Sequence, residues 1–513
     1  RILPKVINTT SQEERSGVLS EWVQSLGKVA PCPKCQPLKS DKAKLLPNLV
    51  WLSDKKQLSE SLIRQLDYIK NNRNQGKHYY ISLAPRVGNP EFKNERAYPS
   101  MTTPDAGFRL LTLYRYWNMI EYFFPYKYAI GEDWSGVLSE FIPKFIAAND
   151  SLAYRLTTLA LIARIHDTHA NLWGRDQILS QYKGAYYAPL QVRFVEEQAV
   201  VVNYYNDSLG AKTSLRKGDV ITKVDGISVE ELVRQRLPST PASNQVTQLR
   251  DIAGDLMRGQ TPQVELSILR EGKEFTFPVE RYPAEQLNLA RNPSTREPDS
   301  SYRLVKENIG YLYLGKIRNA QLPRIMDAFR NTKGMVIDIR NYPSEFVVFT
   351  LSAYLLPKPA PFVKFTTGEV SYPGSFAWAP TLYVGKWNTR KHKPLLKPGK
   401  ALPAHYPGKV VILVNELTQS QAEYTTMALR TAPNATVMGS QTAGADGNVS
   451  PIVLPGNLFT GISGIGVYYP DGKETQRIGI VPDVEAKPTL QGIREGRDEV
   501  LEKAIQLIES TAR

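Results

Sequence analysis

Three kinds of side chain in this sequence could do chemistry: a serine at a strand-to-helix turn, a few histidines, and a pair of cysteines. The segment KVVILVNELTQSQAEYTTMALRTA reads as a buried strand over Val410–Val414, a polar turn, and a helix opening near Ser420. A serine placed there has backbone N–H groups beside it that can hold an oxyanion once its hydroxyl has attacked a carbonyl. The same spacing also describes an ordinary helix N-cap, with Glu423 as the reciprocal partner of a capping box, and the local pattern leaves both readings open. A serine hydroxyl needs a base, and five histidines are available. His166 and His169 close a helical stretch as HDTH; a metal would need a third ligand nearby and none stands there, so His166 reads as a packing residue. Cys32 and Cys35, in VAPCPKCQP, could be a redox pair, half a zinc site or a local disulfide. Lacking a clear neighbouring strand–helix unit and further ligands, they read as a structural disulfide or inert thiols. Ser463, in GISGIG, fails the G-x-S-x-G pattern because Ile465 replaces the last glycine, and it reads as a strand position.

Positioning such groups takes several domains, and 513 residues amount to about three. With 42% apolar and 10% aromatic residues the chain can build real cores, which excludes disorder along its whole length. Two cysteines exclude a disulfide-dense scaffold and any four-cysteine metal site. The longest apolar runs, such as Val410–Val414 and Leu159–Ala163, fall far short of the roughly 20 residues that span a bilayer, so no transmembrane helix is expected. The net charge of +14 comes from scattered Lys and Arg, densest in a proline-containing run over 387–400. No zinc-finger spacing, RNP-like strand or basic heptad helix accompanies it, so nucleic acid is not an expected partner. The chain opens at Arg1 without an apolar leader, as a processed or truncated form would, so its start does not argue for a cytoplasmic location.

Four regions differ in pattern. Residues 1–100 are mixed and polar, with helical stretches near Glu14–Leu26 and Leu58–Asn71. Residues 101–185 are strongly helical, aromatic-rich, and end at IHDTHANL. Residues 186–284 turn to short β-like runs between Gly, Asp and Ser turns, with one helix near Asn244–Met257. Residues 300–513 alternate buried strands with helices, which argues a layered α/β domain with a largely parallel core.

The segment SLRKGDVITKVDGISVEEL, Ser214–Leu232, resembles the middle of a PDZ domain, a fold whose groove binds chain ends by strand addition. The wider order resembles the tail-specific, or C-terminal-processing, serine peptidases: a helical region, a PDZ-like insert, then an α/β domain with a strand–Ser-x-x-Glu–helix turn. This resemblance covers about residues 103–490 and rests on four ordered motifs. They are GMVIDIRNYPSEF with its Asp-x-Arg, the Ser420 turn, the glycine-rich QTAGADGN, and IGIVPDVEA with its Gly-x-x-Pro-Asp. The lysine-dependent branch would carry its base 25 positions after the serine, where this chain has Ala445, and no lysine occurs from Gly439 to Asp471. The remaining resemblance is to the tricorn-core branch with a histidine base.

That resemblance implies an α+β multidomain chain: a helical N-terminal region, a PDZ-like β-barrel domain, and a layered, crotonase-like α/β peptidase domain. It implies Ser420 as nucleophile, His169 as general base, Thr168 as orienting relay, and Glu474 as orienting carboxylate, with Gln476 the alternative. Oxyanion donors would be the Gln421 N–H and one from Ser344, in the turn after Asp338-Ile339-Arg340. Relatives often carry Gly-Gly where this chain has Ser344-Glu345, a departure that raises a second reading: a silent peptide- or ligand-binding protein on the peptidase architecture. A third is an esterase using the same Ser–His pair. The expected reaction is hydrolysis of polypeptides near exposed C-terminal ends, with no metal or organic cofactor and with polypeptides as partners. The family habit is export across a bacterial inner membrane, to a periplasmic or cell-envelope location, which would suit a Cys32–Cys35 disulfide.

Overall fold

The computed structural model describes the chain apart from residues 1, 36–38, 74–75, 175, 294–297, 307, 386, 389–392, 395–404 and 512–513. Most of the basic run at 387–400 therefore lies outside the described residues. In the first hundred residues Cys32 and Cys35 are joined as a disulfide. The strand Ala43–Leu45 pairs antiparallel with Phe376–Trp378, and a hairpin of β1 (Ile81–Leu83) and β2 (Pro90–Phe92) follows. The opening segment is thus woven into sheet that belongs to the far end of the chain.

The helices α1 (Ala106–Phe123), α2 (Trp134–Ala147) and α3 (Ser151–Ala163) each begin at an aspartate. Asp105, Asp133 and Asp150 accept N–H bonds from the first turns, satisfying donors that have no partner within the helix. Pro125 lies just beyond α1, where the helix has to stop. The aromatic and aliphatic faces pack together, with Leu113, Ile120, Phe141, Phe145 and Leu161 fully buried. The same core takes in Ile452, Leu454, Leu458 and Ile462 from a hairpin far along the chain. Burying each such side chain is worth roughly 2 kcal/mol, so the helical layer and that hairpin are held together strongly.

Residues 190–280 form an antiparallel sheet of β3 (Leu190–Val195), β4 (Gln198–Tyr204), β5 (Val220–Val224), β6 (Gln263–Arg270) and β7 (Lys273–Glu280), ordered β7-β6-β5-β4-β3. The helix α4 (Gln245–Leu256), capped by Asn244, lies against it, and Val192, Val201, Ile221, Leu256 and Leu266 form a separate core.

The last region is a sheet of β8 (Tyr302–Val305), β9 (Ile309–Tyr313), β10 (Gly334–Asp338), β12 (Lys409–Val414), β13 (Ala435–Gly439) and β16 (Val484–Glu485), with β11 (Ala360–Gly368) in a neighbouring sheet. All pairs in the main sheet are parallel except β8–β9. The helices α5 (Val348–Leu355), α6 (Gln421–Leu429) and α7 (Glu499–Thr511) cover its two faces, so β10 is buried end to end and β12 from Val410 onward. The hairpin of β14 (Val449–Leu454) and β15 (Leu458–Ser463) leaves this layer to enter the helical core. The mixed α+β architecture and the alternating strands and helices of residues 300–513 agree with the sequence reading. Among the described residues no helix is long and apolar enough to cross a membrane.

Candidate active site

Strands β10 and β12 run side by side and end together, Asp338 opposite Leu413, and the turns that leave them meet. The Asp-x-Arg motif builds the first turn. Arg340 is buried between Asp338 and Asp498, 2.7 Å from a carboxylate oxygen of each, and Tyr311 donates to Asp338 at 2.8 Å. Thr418 ties the second turn to the first, donating its hydroxyl to the Ile339 carbonyl at 2.8 Å. From the antiparallel sheet, Arg193 pairs with Glu416 at 2.6 Å and Arg250 donates to the Glu416 carbonyl at 2.8 Å.

Ser420 stands at the entry to α6 with φ +54° and ψ −117°, a conformation that L-residues rarely adopt. Holding a non-glycine residue there costs about 1–3 kcal/mol, and the surroundings overdetermine it. The Ser420 N–H donates to the Ala445 carbonyl at 2.9 Å and to the Glu423 carboxylate at 3.1 Å. Glu423 is buried and accepts also from the Gly444 N–H at 2.8 Å, the Ala445 N–H at 3.1 Å and the Thr442 hydroxyl. Glu423 therefore does reach back as a capping partner, and the same carboxyl fastens the glycine-rich turn to the serine. Burial raises its pKa and these hydrogen bonds oppose the rise. Gly444 has φ +67°, and a Cβ on it would lie 2.9 Å from the Arg477 backbone, which makes glycine obligatory there. The Gln421 N–H makes no hydrogen bond among the described residues and points from the first turn of a helix, as an oxyanion donor must.

His169 follows α3 and is buried. Its Nδ1 lies 2.8 Å from Ser463 Oγ, at the end of β15. Ser463 donates its hydroxyl to Asp167 Oδ1 at 2.9 Å and its N–H to Asp167 Oδ2 at 2.6 Å. A serine has one hydroxyl proton, and here it goes to the carboxylate, so the oxygen accepts from the imidazole. The ring proton is thereby assigned to Nδ1, leaving the lone pair on Nε2. Asp167, fully buried, accepts the His169 N–H at 3.0 Å as well, and Gln476 Nε2 stands 3.4 Å from it. Burial lowers the His169 pKa below the ordinary 6.5, and the Asp167 charge works the other way.

Two sequence-derived assignments need correction. The relay through Thr168 and Glu474 is not what holds His169. Thr168 is bonded by backbone and side chain to Ser243, at 2.9 and 3.0 Å, and Glu474 pairs with Lys44 at 2.7 Å and accepts from Tyr128 at 2.8 Å. Of the two polar candidates, Gln476 is the one beside Asp167. The Ser344 N–H is also committed, to the Leu314 carbonyl at 3.0 Å, and its hydroxyl donates to Ile317 at 2.6 Å, so it does not supply an oxyanion donor. Asp167, inside HDTH, and Ser463, a strand position in GISGIG, lie 296 residues apart, and nothing in either segment points to the other; the nearness of Asp167 to His169 in sequence is the only local signal. Among the described residues His166 is half-buried with no hydrogen-bonded carboxylate, in keeping with packing, and no three-ligand metal cluster occurs.

A cavity of about 830 Å³ opens beside Ser420. Its walls include Gln421, Tyr424, Phe346, Asp446 and Ile465, together with the tip of the β1–β2 hairpin at Ala84–Gly88. Ile465 is two residues from Ser463, so one short stretch of chain runs from the histidine's partner to the cavity wall. Asp446 is buried beside Glu423; burial and that second carboxyl raise its pKa well above the ordinary carboxylate range.

Residues 308–486 match the sequence profile of peptidase family S41. A comparison with curated protein sequences finds no match. Among solved structures the chain is similar to mature CPAF complexed with lactacystin, at 14% identity and TM-score 0.59, covering 79% of this chain and 98% of that one. It is similar to a second crystal structure of mature CPAF at 15% identity and TM-score 0.57, again covering 79% of this chain and 98% of that one. The parallel sheet with its serine turn thus lies in the stretch, residues 308–486, that matches the peptidase family S41 profile, and the chain shares its fold with the CPAF structures.

Proposed function

We propose that this chain hydrolyses polypeptides with Ser420 as nucleophile and His169 as general base. The observation that carries the reading is the Ser463 hydroxyl, which donates to Asp167 and lies 2.8 Å from Nδ1, so that it accepts from an Nδ1–H and leaves Nε2 of a neutral imidazole free to take a proton. In the reaction Nε2 takes the Ser420 hydroxyl proton as Oγ bonds to the scissile carbonyl carbon. The carbonyl oxygen, now negative, faces the Gln421 N–H. When the C–N bond breaks, Nε2 returns the proton to the departing amine, and water then releases the acyl group by the same steps. Asp167 and Ser463 hold the ring and stabilise its cationic form.

Action near C-terminal ends, a PDZ-like role for residues 186–284, and an exported location are parts of the same proposal. The family profile, the antiparallel sheet with the helices packed on it, and the Cys32–Cys35 disulfide support them in turn. The test is cleavage of unfolded casein and labelling by a serine-reactive phosphonate. Ser420→Ala is expected to abolish both with the fold intact, and activity persisting in that variant would sink the assignment. One observation favours a silent binding protein instead: the committed Ser344 N–H leaves the oxyanion site with one fewer donor. Peptide binding that survives Ser420→Ala, with no turnover by the unaltered protein, would select that reading.

A further inference from the structure

One oxygen in the cavity wall beside Ser420 has nothing to bond to. Asp446 lines the cavity and is only 4% exposed; its Oδ1 accepts the Gly447 N–H at 2.7 Å, while its Oδ2 is buried with no hydrogen-bond partner among the described residues. Buried polar atoms are almost always paired, so an orphan at a cavity wall marks where a ligand atom completes the set. The chain itself keeps this carboxyl near the serine. The Ala445 carbonyl accepts the Ser420 N–H at 2.9 Å and the Ala445 N–H donates to Glu423 at 3.1 Å, so Asp446 directly follows the residue that anchors the nucleophile. On the other side the Asn448 carbonyl accepts the Gly464 N–H at 2.7 Å, and a Cβ on Gly447 would lie 2.8 Å from the Ile465 carbonyl oxygen. The turn has little freedom to swing the carboxyl away.

No cation bonds to Asp446 among the described residues. Glu423 faces it from α6 and Tyr126 from the turn after α1, while Arg86, Tyr342 and Tyr424 line the same cavity, Arg86 from the exposed tip of the β1–β2 hairpin. Burial and the Glu423 carboxyl raise the Asp446 pKa, and only the Gly447 N–H opposes them. A carboxyl kept in its acid form has one O–H to donate.

We propose that Asp446, as the acid, donates its Oδ2–H to the carbonyl oxygen of the scissile bond and is the second oxyanion donor beside the Gln421 N–H. The inference rests on the Ser420–His169 reading and adds a catalytic residue to it, in place of the Ser344 N–H that Leu314 takes. As Ser420 Oγ bonds to the carbonyl carbon, the C=O electron pair moves onto oxygen, and both hydrogen bonds strengthen against the new charge. The Asp446 proton stays on Oδ2 throughout. The proton that travels is the one passed from Ser420 through His169 Nε2 to the leaving amine.

The test compares two variants of the full chain, Asp446→Ala, which removes the donor, and Asp446→Asn, which keeps one in a neutral amide. The readouts are hydrolysis of a fluorogenic peptide and inhibition by a peptidyl trifluoromethyl ketone, whose adduct with a serine carries the same oxyanion. Asp446→Ala is expected to lower kcat about 100-fold or more with KM little changed, and to weaken the ketone to a similar extent. Asp446→Asn should keep kcat within about tenfold. Activity of the unaltered protein should fall at high pH as Asp446 ionises, and Asp446→Asn should remove that fall although Glu423 remains. An Asp446→Ala protein with unaltered kcat and ketone affinity, an Asp446→Asn protein as slow as Asp446→Ala, or a high-pH fall that persists in Asp446→Asn would each overturn the proposal. Should Asp446→Ala not fold, the pH profile of Asp446→Asn decides by itself. An unaltered protein that neither cleaves nor takes the ketone would strike the Ser420–His169 reading and this inference with it, whereas a cleaving protein indifferent to Asp446→Ala strikes this inference alone.

Discussion

Ser463 Oγ lies 2.8 Å from His169 Nδ1 and donates its own hydrogen bond to Asp167 at 2.9 Å, so a serine, not a carboxylate, is the imidazole's immediate neighbour. Asp167→Asn should break this order, because an amide can donate to Ser463 and let its hydroxyl turn toward the ring. The expected result is a fall in kcat of about 100-fold or more with KM little changed. Steady-state kinetics on an unfolded substrate check it, and Ser463→Ala should fall in the same direction.

The acid limb of activity should sit below pH 6.5, because burial holds His169 neutral to lower pH than an exposed imidazole. The same shift acts on stability. Between the lowered folded value and 6.5 the unfolded chain binds a proton that the folded chain refuses, so stability is complete above 6.5 and declines as pH drops below it. His166, also lowered by burial, adds in the same direction. Thermal melts across about pH 5–8 should show the decline, and Asp167→Asn should steepen it by removing the charge that favours His169's protonated form.

Ser420→Gly should be more stable than Ser420→Ala by about 1 kcal/mol, since glycine adopts φ +54° without the Cβ clash. Denaturant titration of the two inactive variants measures the difference. Equal stabilities would mean that the serine turn stores no backbone strain.

Glu423→Ala strips four donors of their acceptor, three of them backbone N–H groups that include the one on Ser420. A loss of about 3 kcal/mol is expected, with activity lost even at temperatures where the variant stays folded. Folded, active protein would show the 442–445 turn to be held by other means.

Glu474→Gln should leave kcat within about threefold of the unaltered protein, because Glu474 serves Lys44 and Tyr128, not the histidine. Its partly exposed ion pair contributes at most about 1 kcal/mol. A large kcat loss would restore it to the catalytic group.

The α/β layer was legible because its strands are apolar runs that flank their own turns. GMVIDIR became Gly334–Asp338 and KVVILV became Lys409–Val414, each ending where a motif begins. Ser420 and Gln421 could be read for the same reason. The environment of His169 could not, since Asp167, Ser463 and Gln476 meet only after the β14–β15 hairpin enters the helical core. Thr168 and Glu474 looked plausible by order along the chain, yet one faces Ser243 and the other Lys44. The β1–β2 hairpin at the cavity carried no sequence signal: a hairpin of three-residue strands has too short a period to announce itself.

The burial of the β14–β15 hairpin has a practical consequence for anyone dividing the gene. A fragment cut to residues 308–486 would keep Ser420, lose His169 and the hairpin tip at Ala84–Gly88, and present Ile452, Leu454, Leu458 and Ile462 to water. Four such side chains uncovered amount to roughly 8 kcal/mol, comparable to the whole stability of a typical domain. The stretch that carries the family profile is expected to precipitate when expressed alone, and to become soluble only when residues 81–170 are supplied with it.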